Sequence, residues 1–370
     1  MRIAICTPNI ERYDAVTNDV LGMNQAFCEE GSDCRIFVVN SYIESVPVQH
    51  AEDIANYLRE PDDVFIYHHS VGWDLGLDML RSLPCRKVVK YHNVTPSRFF
   101  KGLAENYFVA CEAGRQHLAE IVRLPVDLFL ADSAYNLHEI SDMASRRIAG
   151  AVVPPFHKID ELQQTVADQH MLARFRDGNA NFLMVGRIVP NKGYEYLIEA
   201  FSIYHKTYNP RSRLLIVGRA DPMLKAYFKS LEKKIKKYKL CESVFFIGSV
   251  SAEELKACYQ IASVFTITSL HEGFCVPLVE AMSMKVPIVG YASTAIPETV
   301  GKVGLIWEEH DPELMAASFN MIIENDVVRY SLGEMGKNRY RAVFDNLKIK
   351  ACLLDALAKA GLPHKKNLIA

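Results

Sequence analysis

The sequence predicts an α/β protein made of two similar halves, each a Rossmann-like, doubly wound parallel sheet. Short apolar runs alternate with longer amphipathic stretches along the whole chain, which is the pattern of βαβ units. The alternation stops at the pair Pro154 and Pro155 and begins again at Asn181 as though from the start. The length of 370 residues also exceeds one ordinary domain, so two domains of about 150–200 residues are expected.

In the first half, the apolar runs that end at turn residues are predicted strands. These are Arg2–Cys6, Arg35–Val39, Val64–Tyr67, Lys87–Tyr91, Leu128–Ala131 and Gly150–Val153. The amphipathic stretches between them are predicted helices: Asn18–Glu30, Ala51–Leu58, Asp74–Leu80 and Asn106–Ile121. A polar, helix-like segment, Asp160–Arg176, follows the two prolines.

The second half repeats the pattern. Its predicted strands are Phe182–Val185, Arg213–Val217, Val244–Ile247, Val264–Thr268, Val286–Val289 and Val303–Ile306. Its predicted helices are Gly193–His205, Pro222–Tyr238, Pro312–Ile323, Val327–Val343 and Ile349–Ala360. We place the domains at 1–165 and 166–345, and expect the helix in 346–370 to pack back on the first. Ligands of such sheets bind at the carboxyl ends of the strands, so two facing domains would enclose a central cleft.

Composition narrows the class of protein. A formal net charge of −2 does not favour nucleic acid as a partner. Nine scattered cysteines without a C-x-x-C pair fit reduced thiols better than disulfides or a zinc site. The apolar run at the N-terminus is too short for a signal peptide, and no stretch approaches the ~20 apolar residues that span a bilayer. We expect a cytoplasmic protein with, at most, peripheral contact at the inner membrane face.

The most informative segment is 269–282, where two glutamates, Glu272 and Glu280, flank the start of a helix. A glycine-containing turn follows an apolar strand, and Pro277 is well placed to begin the helix. A helix N-terminus behind a tight turn is a ready anion site. Two carboxylates would repel a phosphate bound there by itself. They could instead bind hydroxyl groups that flank the phosphate in a larger ligand. A sugar nucleotide offers both groups.

Two cations follow the first strand of the second half. Arg187 and Lys192 lie across a loop that leads into the next helix, and both can reach the mouth of the cleft. Fixed cations can stabilise a phosphate leaving group without a metal. The alternative is a pair of solvated loop cations.

Together these motifs resemble glycosyltransferase family 4. Gly-Arg-x-x-x-x-Lys-Gly, at 186–193, precedes Glu-Gly-Phe-x-x-Pro-x-x-Glu-Ala-Met, at 272–282. Members are retaining, nucleotide-sugar-dependent enzymes of the GT-B fold. The resemblance therefore implies an acceptor-binding N-terminal domain and a nucleotide-sugar-binding C-terminal domain facing a cleft. It implies transfer of a hexose, with mannose or glucose as leading guesses, from a GDP- or UDP-linked donor to a glycan or lipid-linked acceptor. No metal or other cofactor is required, and bacterial surface-polysaccharide, O-antigen or lipopolysaccharide synthesis is the expected setting.

The resemblance also assigns roles to residues. Arg187 and Lys192 would bind the donor pyrophosphate, and Glu272 would face the hydroxyls of the transferred sugar. Glu280 would accept hydrogen bonds from the ribose. The backbone near the sugar and phosphate, and the border of the base, would be formed by Gly273, Phe274, Cys275, Val276, Ile247 and Gly248. The family usually has glycine where Cys275 stands, so its side chain could crowd the donor sugar. A nucleophilic Cys275 is an alternative.

In the first half, His92 stands at the end of a predicted strand, where the family has a histidine that orients donor sugar and acceptor. The alternative is a hydrogen-bonded loop histidine. His68 and His69 end the preceding strand and are weaker candidates for the same cleft. Asp14 and Thr17 could contact the acceptor or the donor, or could cap the following helix.

Two other functions remain open. A sugar-nucleotide epimerase would use the same kind of cleft, and a non-catalytic nucleotide-sugar-binding subunit would bind without turnover. The lysine-rich run 225–239 is interpreted as a solvated helix face, with binding to anionic lipid or polymer as the alternative. No Asp-x-Asp, Gly-x-Gly-x-x-Gly or Walker-type motif supports a metal-dependent transferase, a dehydrogenase or an NTPase.

Overall fold

The computed structural model describes residues 1–362 of the chain; the end of the predicted segment 346–370 lies outside the described residues. Its strands are β1 (Arg2–Cys6), β2 (Asn9–Ile10), β3 (Asp33–Val38), β4 (Asn40–Ser41), β5 (Gln49–His50), β6 (Val64–His69), β7 (Arg86–Tyr91), β8 (Leu128–Ala131), β9 (Gly150–Val152), β10 (Ala180–Val185), β11 (Ser212–Val217), β12 (Val244–Gly248), β13 (Val264–Ile267), β14 (Ile288–Tyr291) and β15 (Gly304–Trp307).

The α-helices are α1 (Ala15–Glu29), α2 (Ile54–Tyr57), α3 (Asp74–Ser82), α4 (Glu105–Ile121), α5 (Ala134–Met143), α6 (Ile159–Gln164), α7 (Gln169–Phe175), α8 (Tyr194–Thr207), α9 (Lys225–Tyr238), α10 (Ala252–Ile261), α11 (Val276–Ser283), α12 (Ile296–Val300), α13 (Pro312–Glu324), α14 (Asp326–Arg339) and α15 (Asn346–Lys359). A π-helical turn, Tyr340–Phe344, precedes α15.

The chain forms two compact units. Unit 1 contains residues 1–98, 106–157 and 344–362, and unit 2 contains residues 99–105 and 158–343. The structure changes unit between residues 157 and 158 and again between 343 and 344, whereas the sequence places the limits at 165/166 and 345/346. Helix α15 therefore belongs to unit 1, where Ile349 and Leu353 are buried in one apolar cluster with Ile3 and Ile5.

Unit 1 is built on a parallel sheet with the strand order β5-β3-β1-β6-β7-β8-β9. The first strand lies inside the sheet, and the order reverses between β1 and β6, which is the doubly wound arrangement. All residues of β6 are buried, as expected for a parallel sheet covered on both faces. The carboxyl ends of β6, β7 and β8 bring His68, His92 and Asp132 to one edge.

Unit 2 has the parallel order β12-β11-β10-β13-β14-β15, again with the reversal beside its first strand. Strand β10 pairs with both β11 and β13, so Phe182 is in register with Leu214 and with Val264. Ligands of such sheets bind at the carboxyl ends of the strands near the reversal. In unit 2 this is where the loops after β10 and β13 begin.

Two predictions for the helices are wrong. The segment Asp160–Arg176 forms two short helices, α6 and α7, because Asp168 interrupts it and accepts a hydrogen bond from Met171 N over 2.6 Å. Ala51–Leu58 is a 3-10 turn followed by the single turn α2. Helix α10 was not predicted, although Ser251 and Glu254 form a capping box at its start.

Candidate active site

The loops after β10 and β13 are joined by an ion pair. Lys192 Nζ lies 2.6 Å from Glu272 Oε1, and the two side chains are 16% and 9% exposed. Burial by itself lowers the pKa of the Lys192 ammonium, but the charge of Glu272 and its hydrogen bond with Lys192 act in the opposite direction, and the net pKa is raised. Lys192 therefore stays protonated across the physiological pH range.

Gly193 allows the two loops to approach each other. Its φ is +64°, and a Cβ atom there would lie 2.2 Å from the carbonyl oxygen of Thr268, so only glycine fits. Thr268 Oγ1 donates to the carbonyl of Gly193 over 2.9 Å. Asn191 adds two contacts: its carbonyl accepts from Leu270 N over 2.7 Å, and its Nδ2 donates to the His271 carbonyl over 3.2 Å. These contacts fix where Lys192 meets Glu272.

Glu272 is held by side chains that the sequence did not single out. Ser269 Oγ donates to Glu272 Oε1 over 2.6 Å. Thr294 Oγ1 accepts from the Glu272 backbone N–H and donates to its carbonyl, both over 2.8 Å. Thr294 has a φ of +47°, which is rare for a β-branched residue. Among residues 1–362, the hydrogen bonds to the Glu272 carboxylate all reach Oε1, so Oε2 can accept from a ligand hydroxyl.

Glu280 lies on α11, which begins at Val276, one residue before the Pro277 predicted to start it. Its Oε2 accepts a hydrogen bond from the hydroxyl of Tyr259 over 2.6 Å. Burial raises the pKa of Glu280, and the hydrogen bond from Tyr259 opposes part of the rise. Tyr259, at the end of α10, is a second residue of this site that the motif did not reveal.

Cys275 caps α11 with a φ of +75°. That conformation is unstrained for glycine, which gives a physical reason for the family's usual residue. The side chain is 8% exposed. Burial, followed by the charge of Glu272, raises the pKa of its thiol well above the ordinary value. A buried thiol that keeps its proton is a poor nucleophile, so the structure does not favour a nucleophilic Cys275.

The other residues predicted for the donor site lie at different distances along the fold from Lys192 and Glu272. Arg187 is exposed, and its charge acts on Lys192 by lowering the pKa of the ammonium slightly. Gly273, Phe274 and Val276 continue directly from Glu272 into α11. Ile247 and Gly248 end β12, two strands away from β10 on the same sheet edge. Within residues 1–362, no hydrogen bond links Ile247 or Gly248 to Lys192 or Glu272.

Glycines stand at the carboxyl ends of the three neighbouring strands β10, β11 and β12. Gly186, Gly218 and Gly248 end successive strands with φ values of +154°, +145° and +85°. Gly218 N donates to the Gly248 carbonyl over 2.8 Å, and a Cβ on Gly218 would lie 2.0 Å from the Gly186 carbonyl oxygen. The backbone of neighbouring strands therefore packs closely at this edge.

In unit 1, both ring nitrogens of His92 are already engaged. Nδ1 lies 2.9 Å from Asp132 Oδ2, and Nε2 lies 2.8 Å from His68 Nδ1. Lys90 Nζ pairs with Asp132 Oδ1 over 2.6 Å. Burial raises the pKa of Asp132, but His92 and Lys90 outweigh it and the net pKa is lowered. The side chain of His92 is 5% exposed, and hydrogen bonds hold both of its ring nitrogens.

The remaining predicted residues of unit 1 have structural partners. Asp14 caps α1, accepting from Thr17 N over 2.8 Å and from Thr17 Oγ1 over 3.0 Å. His69 Nδ1 lies 3.2 Å from the Tyr67 hydroxyl, and its Nε2 lies 3.0 Å from the Gly114 carbonyl.

Residues 170–339 match the model of a protein family described as glycosyl transferases group 1. Lys192, Glu272 and Glu280 all fall inside the matched segment. The serotype-specific mannosyltransferase WbdA of Escherichia coli is 26% identical over 289 residues, which cover 74% of this chain and 34% of that protein. The chain thus spans about a third of the length of that relative. Mannosylfructose-phosphate synthase of Agrobacterium fabrum is 24% identical over 330 residues, covering 84% of this chain and 72% of that protein.

Among solved structures, HepE of Anabaena in complex with UDP-glucose superposes with a TM-score of 0.77 at 17% identity, covering 97% of this chain and 100% of that chain. At this identity the likeness concerns the fold. It confirms the predicted fold class, GT-B with two Rossmann-like, doubly wound parallel sheets. No helix in residues 1–362 combines the length and apolar character needed to cross a bilayer.

Proposed function

We propose that this chain is a retaining glycosyltransferase of family 4 that moves a hexose from a nucleoside diphosphate sugar to a glycan or lipid-linked acceptor. The observation that carries the proposal is the Lys192–Glu272 ion pair at the sheet edge where such folds bind ligands. It joins a phosphate-binding cation to a hydroxyl-binding carboxylate, directly before a helix N-terminus.

In the proposed reaction, the bond between the anomeric carbon and the diphosphate oxygen breaks, and the nucleoside diphosphate leaves with the electron pair. Lys192, Arg187 and the N-terminus of α11 stabilise the negative charge that develops on the phosphate. An acceptor hydroxyl then bonds to the anomeric carbon from the same face and gives its proton to the departing phosphate. Glu272 Oε2 accepts a hydrogen bond from a hydroxyl group of the sugar and thereby fixes the orientation of the sugar.

Glu280 is proposed to bind the ribose hydroxyls. Tyr259 donates to Glu280 Oε2 and so presents the other oxygen of the carboxylate to a ligand. Ile247 and Gly248 are proposed to border the base. A relative named a mannosyltransferase and a fold neighbour bound to UDP-glucose support mannose and glucose as the first donors to test.

His92 is proposed to orient the transferred sugar and the acceptor, as the resemblance implies. Because His68 already occupies its Nε2, a direct contact with a sugar requires His68 to release that nitrogen. In the resting structure His92 is therefore a positioning residue. The acceptor-side residues Asp14 and Thr17 and a cytoplasmic, peripheral location at the inner membrane face remain part of the proposal.

The test begins with thermal unfolding in the presence of UDP, GDP, ADP and dTDP, because a bound ligand raises the midpoint by mass action. The nucleotide that stabilises the protein then defines a panel of nucleotide sugars, with products identified by mass spectrometry and NMR. Hydrolysis or transfer with retention supports the proposal. Isomerisation would indicate an epimerase, and tight binding without turnover would indicate a binding subunit. If no nucleoside diphosphate raises the midpoint, the proposal fails.

A further inference from the structure

A second group of chemically reactive side chains lies buried in unit 1, outside the Lys192–Glu272 site. Asp19 on α1 faces His68 at the end of β6 and His92 just after β7. The side chains of Asp19 and His68 are fully buried, and that of His92 is 5% exposed. Three of their atoms, Asp19 Oδ2, His68 Nδ1 and His92 Nε2, all lie within 4.8 Å of one another.

The spacing of these three atoms matches a set of metal ligands. Asp19 Oδ2 lies 3.7 Å from His68 Nδ1 and 3.6 Å from His92 Nε2, and the two nitrogens are 2.8 Å apart. A triangle with these sides has a point about 2 Å from every corner, which is the bond length of zinc to nitrogen and carboxylate oxygen. Two imidazoles and one carboxylate are also an ordinary donor set for that ion.

Asp19 Oδ2 needs a partner that the described chain does not supply. The other oxygen, Oδ1, accepts from Phe156 N over 2.8 Å, but Oδ2 makes no hydrogen bond to any of residues 1–362. Lys90 Nζ is 3.8 Å from Oδ2 and is already engaged with Asp132 Oδ1 and the Val153 carbonyl. Burying a carboxylate oxygen without a partner is costly, and a cation at the centre of the triangle would satisfy it.

Asp132 supplies the support that metal-binding histidines commonly have. Its Oδ2 lies 2.9 Å from His92 Nδ1, so it can accept that N–H and leave Nε2 without a proton and able to donate a lone pair. A carboxylate behind a ligating imidazole fixes the tautomer and strengthens the ligand.

We propose that Asp19, His68 and His92 bind one zinc-class divalent ion that ties α1 to β6 and β7. From the sequence we expect no metal, because the family resemblance implies none and no Asp-x-Asp or C-x-x-C motif is present. The alternative arrangement is a hydrogen bond from His68 to His92 beside a protonated Asp19. The proposal does not depend on glycosyl transfer. A bound ion would occupy His92 Nε2, the nitrogen that a direct sugar contact requires, so His92 cannot serve the ion and the sugar at the same time.

The experiment uses the full chain, stripped with a chelator and then titrated with Co²⁺ and Zn²⁺. We expect visible d–d absorption that saturates at one Co²⁺ per chain and disappears when Zn²⁺ is added. Mass spectrometry of the elements should find one zinc per chain, and zinc should raise the thermal midpoint. Asp19→Asn keeps an acceptor for Phe156 N but loses the charge, and should abolish all three signals. His50→Gln, an exposed histidine outside the group, is the matched control and should change none of them.

Wild-type protein that binds less than stoichiometric zinc and gives no cobalt spectrum would overturn the proposal, and would favour the hydrogen-bonded arrangement. Asp19→Asn protein that binds zinc as the wild type does would overturn it as well. Circular dichroism of the metal-free variant checks that the fold is kept. If it is not, the wild-type stoichiometry and cobalt spectrum still decide the question.

Discussion

The hydroxyl of Tyr259 donates to Glu280 Oε2 over 2.6 Å, and so links the end of α10 to the middle of α11. This bond stabilises the charged form of a carboxylate whose pKa burial raises. The proposed ribose contact depends on that charge. We therefore expect Tyr259→Phe to weaken binding of the nucleoside diphosphate about tenfold, the equivalent of one hydrogen bond to a charged group.

The measurement for Tyr259→Phe is titration calorimetry with the nucleotide identified by thermal unfolding. Tyr227→Phe is the control, because its hydroxyl binds Glu195 over 2.7 Å and has no proposed part in the site. Unchanged affinity in Tyr259→Phe would place Glu280 outside the nucleotide site.

Lys192→Ala and Glu272→Gln should each lower the rate of transfer by on the order of a hundredfold, the scale of one lost transition-state contact. Each change also leaves the other member of a largely buried ion pair without its counter-charge. The free energy of unfolding must therefore be measured together with the rate. Lys229→Ala, an exposed lysine on α9, is the control and should keep the wild-type rate. Near-normal rates in both site variants would remove the basis of the proposed function.

His92→Ala should lower turnover and leave nucleotide affinity largely intact. The proposed nucleotide contacts belong to unit 2, whereas His92 is held in unit 1 by Asp132 and His68. Single-turnover kinetics and calorimetry on the same preparation separate the two quantities. His92→Gln retains an amide that can donate or accept and should recover part of the rate. A large loss of nucleotide affinity would contradict the assignment.

Substitutions of Cys275 should follow its backbone conformation. At a φ of +75°, a β-branched side chain is strained, so Cys275→Val should lower the free energy of unfolding by about 2 kcal/mol. Cys275→Gly removes a buried side chain but relieves the backbone, and should stay within about 1 kcal/mol of the wild type. Urea unfolding measures both. A Val variant as stable as the Gly variant would show that the backbone relaxes at this position.

Asp63 should make the free energy of unfolding depend on pH in the acidic range. It is 1% exposed and accepts backbone hydrogen bonds from Arg2, Arg59 and Glu60 over 2.8, 3.0 and 3.1 Å. Burial raises its pKa, but these three bonds outweigh it and the net pKa is lowered. The stability from this group is therefore present above the ordinary carboxyl pKa and is lost as the pH falls through the lowered value.

Asp63→Asn should accordingly cost about 2 kcal/mol at neutral pH. The difference from the wild type should begin to narrow below about pH 4, where the Asp63 carboxyl of the unfolded chain takes up a proton, and should disappear as the pH falls through the lowered pKa of the folded state. Urea unfolding over this pH range provides the measurement. A constant difference across the range would mean that the charge of Asp63 does not contribute.

The sequence predicted the strands well, and β1 and β8 have the bounds expected from their apolar runs. It also predicted that Lys192 and Glu272 lie at one edge of the second sheet, and in the structure an ion pair joins them. It did not identify Tyr259 or Thr294, which lie 21 and 22 residues from the glutamates they contact. Apolar periodicity indicates where a strand ends, but it carries no information about which side chain will meet another across the fold.

Helix α15 is made after all of unit 2 has been synthesised, yet Ile349 and Leu353 complete the apolar interior that begins with Ile3. Asn346 Nδ2 donates to the His157 carbonyl over 2.9 Å, and His157 Nε2 lies 2.7 Å from the Phe344 carbonyl. On the ribosome, the apolar interior of unit 1 is therefore not complete until these last turns have been synthesised. A stop codon just before residue 344 would thus damage the part of the protein that was translated earliest.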